Sequence, residues 1–488
     1  MTDIERTRRA IYIDGIWVDT EETASVTNPA TEDELGVAPV GTAAHAEAAL
    51  AAARAAADDR RWSGLTPKDR VRLLRRFTDA LRDREEALVA LVIDECGAPG
   101  RLAKILHYRT GMDHFDWYVD AADRDPIEPR RFAPLPGGGT GAAVVVREPA
   151  GVVAAITPFN FPFFLNVQKV APALAAGNCV VLKPSPLTPL QALVLADVAE
   201  EVELPPGVLN VVTGDIDVGQ VLTTDPRVDL VSFTGSDLVG AAVMAQASPN
   251  LTRVLLELGG KSALIVRDDA DLDVAVPTAL MNFITQAGQG CALCTRHIVH
   301  ESIHDTFVEQ LVAFTSMVTV GDPHDRGTAM GPLISAAQRD RVEGFVATAR
   351  AEGATLAAGG SRPSGLDRGF FFEPTVFTDV ANSSTLARNE VFGPVAAVIS
   401  FADDDEAVAI ANDSPYGLAG AIVSRDADAA FRMALGMHTG YVTINGGSGA
   451  MDPALPFGGV GRSGIGRELG IEGLDCYTET KSIDMRIG

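Results

Sequence analysis

The chain is poor in basic residues, in cysteine and in long apolar runs, and each shortage removes a class of function. Its 40 Lys and Arg face 65 Asp and Glu across 488 residues, a net charge of −25. Such a balance argues against nucleic acid and anionic membrane, and neither is expected as a partner. Any phosphate-bearing ligand must then be held by local devices, such as helix N-termini and a few placed lysines. The cysteines (Cys96, Cys179, Cys291, Cys294 and Cys476) are odd in number and mostly far apart. That is no disulfide framework, and it suits a reducing, cytoplasmic compartment. No apolar run approaches the roughly 20 residues that cross a bilayer, and no apolar signal-peptide core follows the N-terminal arginines. Low-complexity blocks and internal repeats are absent too.

What is present is length and rhythm. At 488 residues the chain exceeds one ordinary core, so two or three domains are expected. Residues 11–18 alternate around Asp14-Gly15 as a small hairpin, while 42–59 and 66–96 carry apolar residues at helical spacing. The Pro- and Gly-rich stretch 126–141 looks like an excursion from the main body. From 142 onward, short apolar strands (152–156, 179–182, 208–212, 228–233, 254–258) alternate with helices (161–176, 187–202, 236–247). This predicts an α/β fold with a parallel sheet covered on both faces. A second α/β set starts near 261, with strands at 263–266, 297–300, 374–377 and 395–401. Its helices are predicted at 271–286, 304–318 and 336–352. The chain is glycine-rich from 446 to 470 and strand-like again at 476–485. Ligands of such sheets sit beyond the carboxyl ends of the strands, where Thr157, Lys183, Gly235 and Glu257 fall.

Two segments carry the candidate chemistry. Cys291 lies among glycines in Gly288-Gln289-Gly290-Cys291, and Glu257 sits in the apolar run Leu255-Leu256-Glu257-Leu258-Gly259-Gly260-Lys261. A nucleophile and a base are the minimum for covalent catalysis at a carbonyl. Burial would lift Glu257 into the working range of a base; the bland reading pairs it with Lys261. Asn160, in the turn Thr157-Pro158-Phe159-Asn160-Phe161-Pro162, either donates to a developing oxyanion or merely satisfies turn geometry. Gly235-Ser236 offers free N–H groups to a pyrophosphate, or is a plain strand-to-helix turn. Lys183 at a strand end reaches for ribose or phosphate oxygens, or is a surface lysine. Spacing alone makes Glu390 a surface residue. Cys291-x-x-Cys294 has redox and zinc readings, but no second cysteine pair or close histidine pair completes a zinc site. His297 and His300 point to opposite faces of their strand, so no metal is expected.

In this order the segments resemble the aldehyde dehydrogenase superfamily, over nearly the whole chain. The resemblance begins at Asn28-Pro29-Ala30-Thr31 and takes in 157–162, Lys183-Pro184-Ser185, 233–240, 257–261 and 288–291 with Arg296. It continues through 390–394, Asn412 to Gly420, 456–459, 464–468 and 477–479. What it implies is a Rossmann-like cofactor domain (1–125 and 142–258), an α/β catalytic domain (259–445) and a β oligomerisation arm (126–141 and 470–488). Residues 446–469 would return to the cofactor domain. It further implies that Cys291, as thiolate, attacks an aldehyde while Asn160 and the Cys291 N–H hold the oxyanion. Hydride passes to a nicotinamide, and Glu257 activates the water that hydrolyses the resulting thioester. The implied cofactor contacts are Thr157, Pro158, Phe159, Lys183, Ser185, Gly235, Ser236, Gly240, Leu258, Gly259, Glu390 and Phe392. Phe161, Phe164, Leu165, Gln168 and Phe457 match substrate-tunnel positions, and a homodimer or homotetramer is expected.

The chain also departs from the family pattern. Pro186 stands where many NAD-preferring members carry the glutamate that holds the ribose 2′-hydroxyl. No arginine adjoins to attract a 2′-phosphate, so NAD is expected, with NADP as the alternative. Phe159 replaces a frequent Trp. Cys294 replaces a frequent Thr or Ser, and a reversible Cys291–Cys294 disulfide is hypothesised under oxidation. The tunnel positions hold no Arg or Lys, favouring medium-chain aliphatic, terpenoid or aromatic aldehydes over substrates bearing a carboxylate. Three other readings compete. A coenzyme A-acylating member is opposed by the base Glu257, and a non-catalytic structural relative by the retention of Cys291, Asn160 and Glu257. The third is a thiol–disulfide redox protein working through Cys291 and Cys294.

Overall fold

The computed structural model describes residues 4–448 and 451–487. Positions 1–3, 449, 450 and 488, which fall in the expected segments 1–125, 446–469 and 470–488, lie outside the described residues. The fold is mixed α/β, built on two mainly parallel sheets.

The first sheet has eight strands. Its centre is the parallel run Leu209–Val211, Cys179–Lys183, Val152–Ile156, Leu230–Gly235 and Arg253–Leu258, in that spatial order. The hairpin Ala10–Ile13 and Ile16–Asp19 closes one edge antiparallel, and Gly464–Ile465 closes the other. These strands are apolar because both faces are covered: Val152, Val153, Ala154, Val180, Val181 and Val231 are fully buried. From Val152–Ile156 the chain winds outward to Cys179–Lys183 and Leu209–Val211, then crosses back to Leu230–Gly235 on the other side. The strand order thus reverses between Val152–Ile156 and Leu230–Gly235, which opens a crevice at their carboxyl ends.

The second sheet runs Thr355–Ala358, Thr375–Thr378, Val395–Phe401, Arg296–His300, Ala263–Val266, Ala419–Val423, Tyr441–Ile444, parallel except at the first pair. A separate antiparallel sheet joins Ile127–Pro134, Thr140–Pro149 and the C-terminal strand Thr478–Ile487. The expected excursion at 126–141 therefore holds one strand, a glycine turn and the start of a second strand that runs on to Pro149.

The helices are punctuated by local chemistry. Pro162 opens Pro162–Ala176, and Gly177, at φ 95°, closes it. The predicted helical stretch 66–96 is in fact two helices, Pro67–Arg82 and Glu85–Cys96, broken at Asp83 and Arg84. Helix at Gly100–Ala121, with a π-helical stretch at Ala103–Arg109, was not read from the sequence, nor were the strands Ala419–Val423 and Tyr441–Ile444. The predicted helix 271–286 stops at Ile284, and the missing turn is what presents Cys291.

Candidate active site

The crevice between the two central strands is where the candidate residues meet. On one wall, Thr157 continues its strand, donating its N–H to the Lys183 carbonyl (3.1 Å) and its hydroxyl to Asn166 Oδ1 (2.6 Å). These bonds fix the turn that carries Asn160, which is buried and donates through Nδ2 to the Gln289 carbonyl at 2.9 Å. The Asn160 turn and the Cys291 loop are thereby tied together across 129 residues of sequence. Asn160 Oδ1 is buried without a partner.

Cys291 follows the helix Leu272–Ile284 through a tight turn. Gly288 has φ 74°, and a Cβ there would lie 2.0 Å from the Gly393 carbonyl oxygen, so both conformation and space require glycine. The Cys291 thiol is pushed up to about 12, by burial first and then by the carboxyls of Glu390, Glu257 and Glu468. Burial and the neighbouring carboxyls thus favour the protonated form of this thiol. All five cysteines are free. Cys294 belongs to the core of the second sheet, while Cys291 packs against the core of the first.

Glu257 is the next-to-last residue of the strand Arg253–Leu258, paired with Thr234 of the neighbouring strand. It is 4 % exposed, and neither carboxylate oxygen has a hydrogen-bond partner. The bland ion pair with Lys261 is not formed, since Lys261 Nζ is also buried without a partner. Desolvation drives the Glu257 pKa well above the ordinary carboxylate value, with Glu468 adding to the rise while Lys169 and Arg467 oppose it. Gly458 passes so close that a Cβ there would come within 2.5 Å of Glu257 Oε1.

Behind Glu257 lies a group that sequence reasoning left without a role. Lys169 Nζ, fully buried, meets Glu468 Oε1 at 2.9 Å and Ser232 Oγ at 3.0 Å, and Ser232 Oγ meets the Tyr477 hydroxyl at 2.9 Å. The signal was available. Lys169 is the one charged residue of the helix Pro162–Ala176, and a charge in a buried helix requires a buried partner.

The expected cofactor residues line the same crevice. Ser236 caps the helix Asp237–Ala247, its Oγ accepting from the Val239 N–H, and Gly235 ends the strand before it. Leu258 packs against Gly240, where a Cβ would clash with its methyls. Lys183 is 7 % exposed; burial lowers its pKa, while Asp215 and Asp217 act against that. Ser185 is half-buried, its Oγ accepting from the Leu187 N–H. Glu390 is half-buried rather than the surface side chain that spacing favours. Its Oε1 accepts from the Gly260 N–H at 3.1 Å, and burial lifts it to about 7. Phe392, left-handed at φ 57°, meets the edge of Phe159 with centroids 5.8 Å apart, and Pro158 is half-buried beside it in sequence.

Of the tunnel positions, Phe161 and Phe164 are half-buried, and Leu165, Gln168 and Phe457 are buried. Phe161 meets His107 with the rings tilted 30° and Phe164 meets the edge of His114, whose Nδ1 lies 2.9 Å from Gln168 Oε1. Phe457 exchanges two 2.7 Å backbone hydrogen bonds with Glu468. No cluster of three metal-ligating side chains occurs among the described residues.

Residues 17–483 match the sequence model of the aldehyde dehydrogenase family. A geranial dehydrogenase of Castellaniella defragrans is 44% identical over 476 residues, covering 97% of this chain and 98% of that protein. An aminoaldehyde dehydrogenase of Arabidopsis thaliana is 40% identical, covering 98% and 96%. Among solved structures, an aldehyde dehydrogenase of Mycobacterium tuberculosis complexed with NAD+ superimposes with a TM-score of 0.95 at 42% identity, covering 99% of both chains. The betaine aldehyde dehydrogenase of Staphylococcus aureus with NAD+ gives 0.95 at 39%, covering 98% of this chain and 95% of that one.

Proposed function

The chain belongs to the aldehyde dehydrogenase family and is an oxidoreductase acting on aldehydes, and from that premise we propose how its residues divide the work. Cys291 Sγ bonds to the aldehyde carbon, and its proton passes to the Glu257 carboxylate. The oxyanion is held by the second Nδ2 hydrogen of Asn160 and the Cys291 N–H. NAD+, when bound, accepts the hydride whose loss converts the thiohemiacetal into a thioester. Once that first proton has left to solvent, Glu257 takes another from the water that attacks the thioester, and returns it to the Cys291 sulfur as the C–S bond breaks and the acid is released. One observation carries this reading: Glu257 is buried with both oxygens unpartnered, close enough to Cys291 to raise the thiol pKa. A structural carboxylate would have been paired. Such a base also opposes transfer of the acyl group to coenzyme A.

The residues present fit a dinucleotide. The helix Asp237–Ala247 directs free N–H groups into the crevice, Thr234 Oγ1 is buried there without a partner, and a Cβ at Gly259 would fill the space beside Glu390. Lys183 and Ser185 would hold the adenosine ribose, with Glu390 and Phe392 at the nicotinamide end. We favour NAD over NADP because Asp215 and Asp217 act on Lys183 and would repel a 2′-phosphate. The apolar tunnel positions support aliphatic, terpenoid or aromatic aldehydes. The arm supports a homodimer or homotetramer, and the five free thiols a reducing cytoplasm. No helix is long and apolar enough to cross a membrane among the described residues.

The test is a panel of citral, hexanal, benzaldehyde, betaine aldehyde and succinate semialdehyde, run with NAD and with NADP. The first three with NAD should give the highest kcat/KM; succinate semialdehyde or betaine aldehyde in first place would sink the substrate reading. Glu257→Gln, which removes the acceptor of both protons, should lose the NADH burst as well as steady turnover, and Cys291→Ser should give no NADH at all.

A further inference from the structure

The turn before Cys291 is held from outside the reacting groups. Gln286 and Ala287 both take left-handed backbone angles, φ 49° with ψ 38° and φ 51° with ψ 39°. Residues with a Cβ resist that conformation, so two in succession persist only where the surroundings fix them. Side-chain hydrogen bonds do the fixing. Gln286 Nε2 donates to the Cys96 carbonyl at 3.0 Å, and Gln286 Oε1 lies 3.3 Å from His107 Nε2. Gln289 Nε2 donates back to the Gln286 carbonyl at 3.0 Å, and Gln289 Oε1 accepts from the Ile334 N–H at 3.0 Å. Gln289 also supplies the carbonyl that receives Asn160.

The proton on His107 follows from these partners. The Gln286 amide nitrogen is committed to a carbonyl, so its oxygen is the atom that faces the ring. His107 Nε2 therefore carries the hydrogen and donates it. Burial pushes the imidazole down to about 3, keeping it neutral, and Nδ1 is left buried without a partner. The ring sits in the π-helical stretch Ala103–Arg109, a rare geometry that is frequent at functional sites. It meets the ring of Phe161, with centroids 4.6 Å apart. One buried side chain thus touches both halves of the site: Phe161 directly after Asn160, and Gln286 ahead of Cys291.

We propose that His107, acting through Gln286, is a positioning residue that sets the left-handed turn and so places Cys291 Sγ against Asn160 and Glu257. This rests on the reading of Cys291 as nucleophile and extends it to a residue outside the reacting groups.

His107→Phe keeps a ring against Phe161 and removes the donor, whereas His107→Gln keeps an N–H donor. In His107→Phe, kcat should fall about ten- to a hundredfold while the aldehyde KM stays within about twofold. The rate at which iodoacetamide alkylates Cys291, followed on its peptide by mass spectrometry, should change in His107→Phe. His107→Gln should restore most of both. A merely structural histidine would lower Tm but leave the kcat of folded molecules and the alkylation rate unchanged, and that result would overturn the proposal. If His107→Phe does not fold, Gln286→Met removes the bond from its other end, together with the one to the Cys96 carbonyl, and is judged by the same readouts. Activity in Cys291→Ser would instead overturn the underlying reading, so the two failures are distinguishable.

Discussion

Glu95 sits fully buried under the first sheet, its two oxygens accepting from the Leu190 N–H at 2.7 Å and from Gln191 Nε2 at 2.9 Å. Burial lifts it from 4.5 to about 8 despite those bonds. The linkage sign follows. Between pH 4.5 and about 8 the folded chain holds a proton that the unfolded chain has lost, so stability falls as pH rises through that window and stays low above it. Glu95→Gln lacks this titration. Its Tm should match the parent's near pH 5 and exceed it by several degrees near pH 9, measured by calorimetry; parallel curves for the two proteins would refute the assignment. Residues of this kind mark what single positions disclose in the sequence. Glu257 stood out because a carboxyl in an apolar run is costly unless it has work or a partner. Glu390 did not, since its burial comes from the Gly260 N–H and from chain more than a hundred residues away.

Elements were legible where their signal is periodic and local. Buried strands such as Val152–Ile156, Cys179–Lys183 and Arg253–Leu258 fell where apolar runs alternated with helices. The edge strand Tyr441–Ile444 did not stand out, nor did the break at Asp83, because short elements are decided by tertiary partners. The end of the helix Leu272–Ile284 matters most, since Gln286 and Ala287 carry side chains in a conformation no sequence rule anticipates. Two glycine substitutions separate the effects of conformation and contact. Gly288→Ala must accommodate φ 74° and a Cβ 2.0 Å from the Gly393 carbonyl, so it should lower Tm and abolish aldehyde turnover. Gly344→Ala, inside the helix Ala336–Ala351 with nothing within 4 Å of its Cβ, should raise stability. The gain should be about 0.5–1 kcal/mol, without change in kcat. Denaturant midpoints and steady-state rates check both, and a turnover-competent Gly288→Ala would refute the account of the nucleophile turn.

At the scale of the molecule, the unresolved demand is the arm. A three-stranded antiparallel sheet, separate from the two large ones, carries Ile127, Phe132, Ile483, Met485 and Ile487 in exposed positions, Phe132 being 69 % exposed. Long strands with exposed apolar residues and free edges invite pairing unless something covers them. Charge points to the same conclusion. The body is strongly acidic, with the chain at −25, whereas Arg130, Arg131, Lys481 and Arg486 offset the acids of the arm strands. Docked on another copy, the arm would bury its apolar residues and set its arginines and lysine against an acidic surface. Phe132→Asp removes the most exposed ring and adds a charge of the repelling sign, while every candidate active-site residue stays in the same chain and untouched. The expected result in sedimentation velocity is a parent of at least dimeric mass and a variant shifted toward monomer at equal concentration, with unchanged circular dichroism. Added salt should weaken the parent's association if the arm's cations contribute. A monomeric parent at micromolar concentration would leave the exposed strands without their partner and refute this reading of the arm.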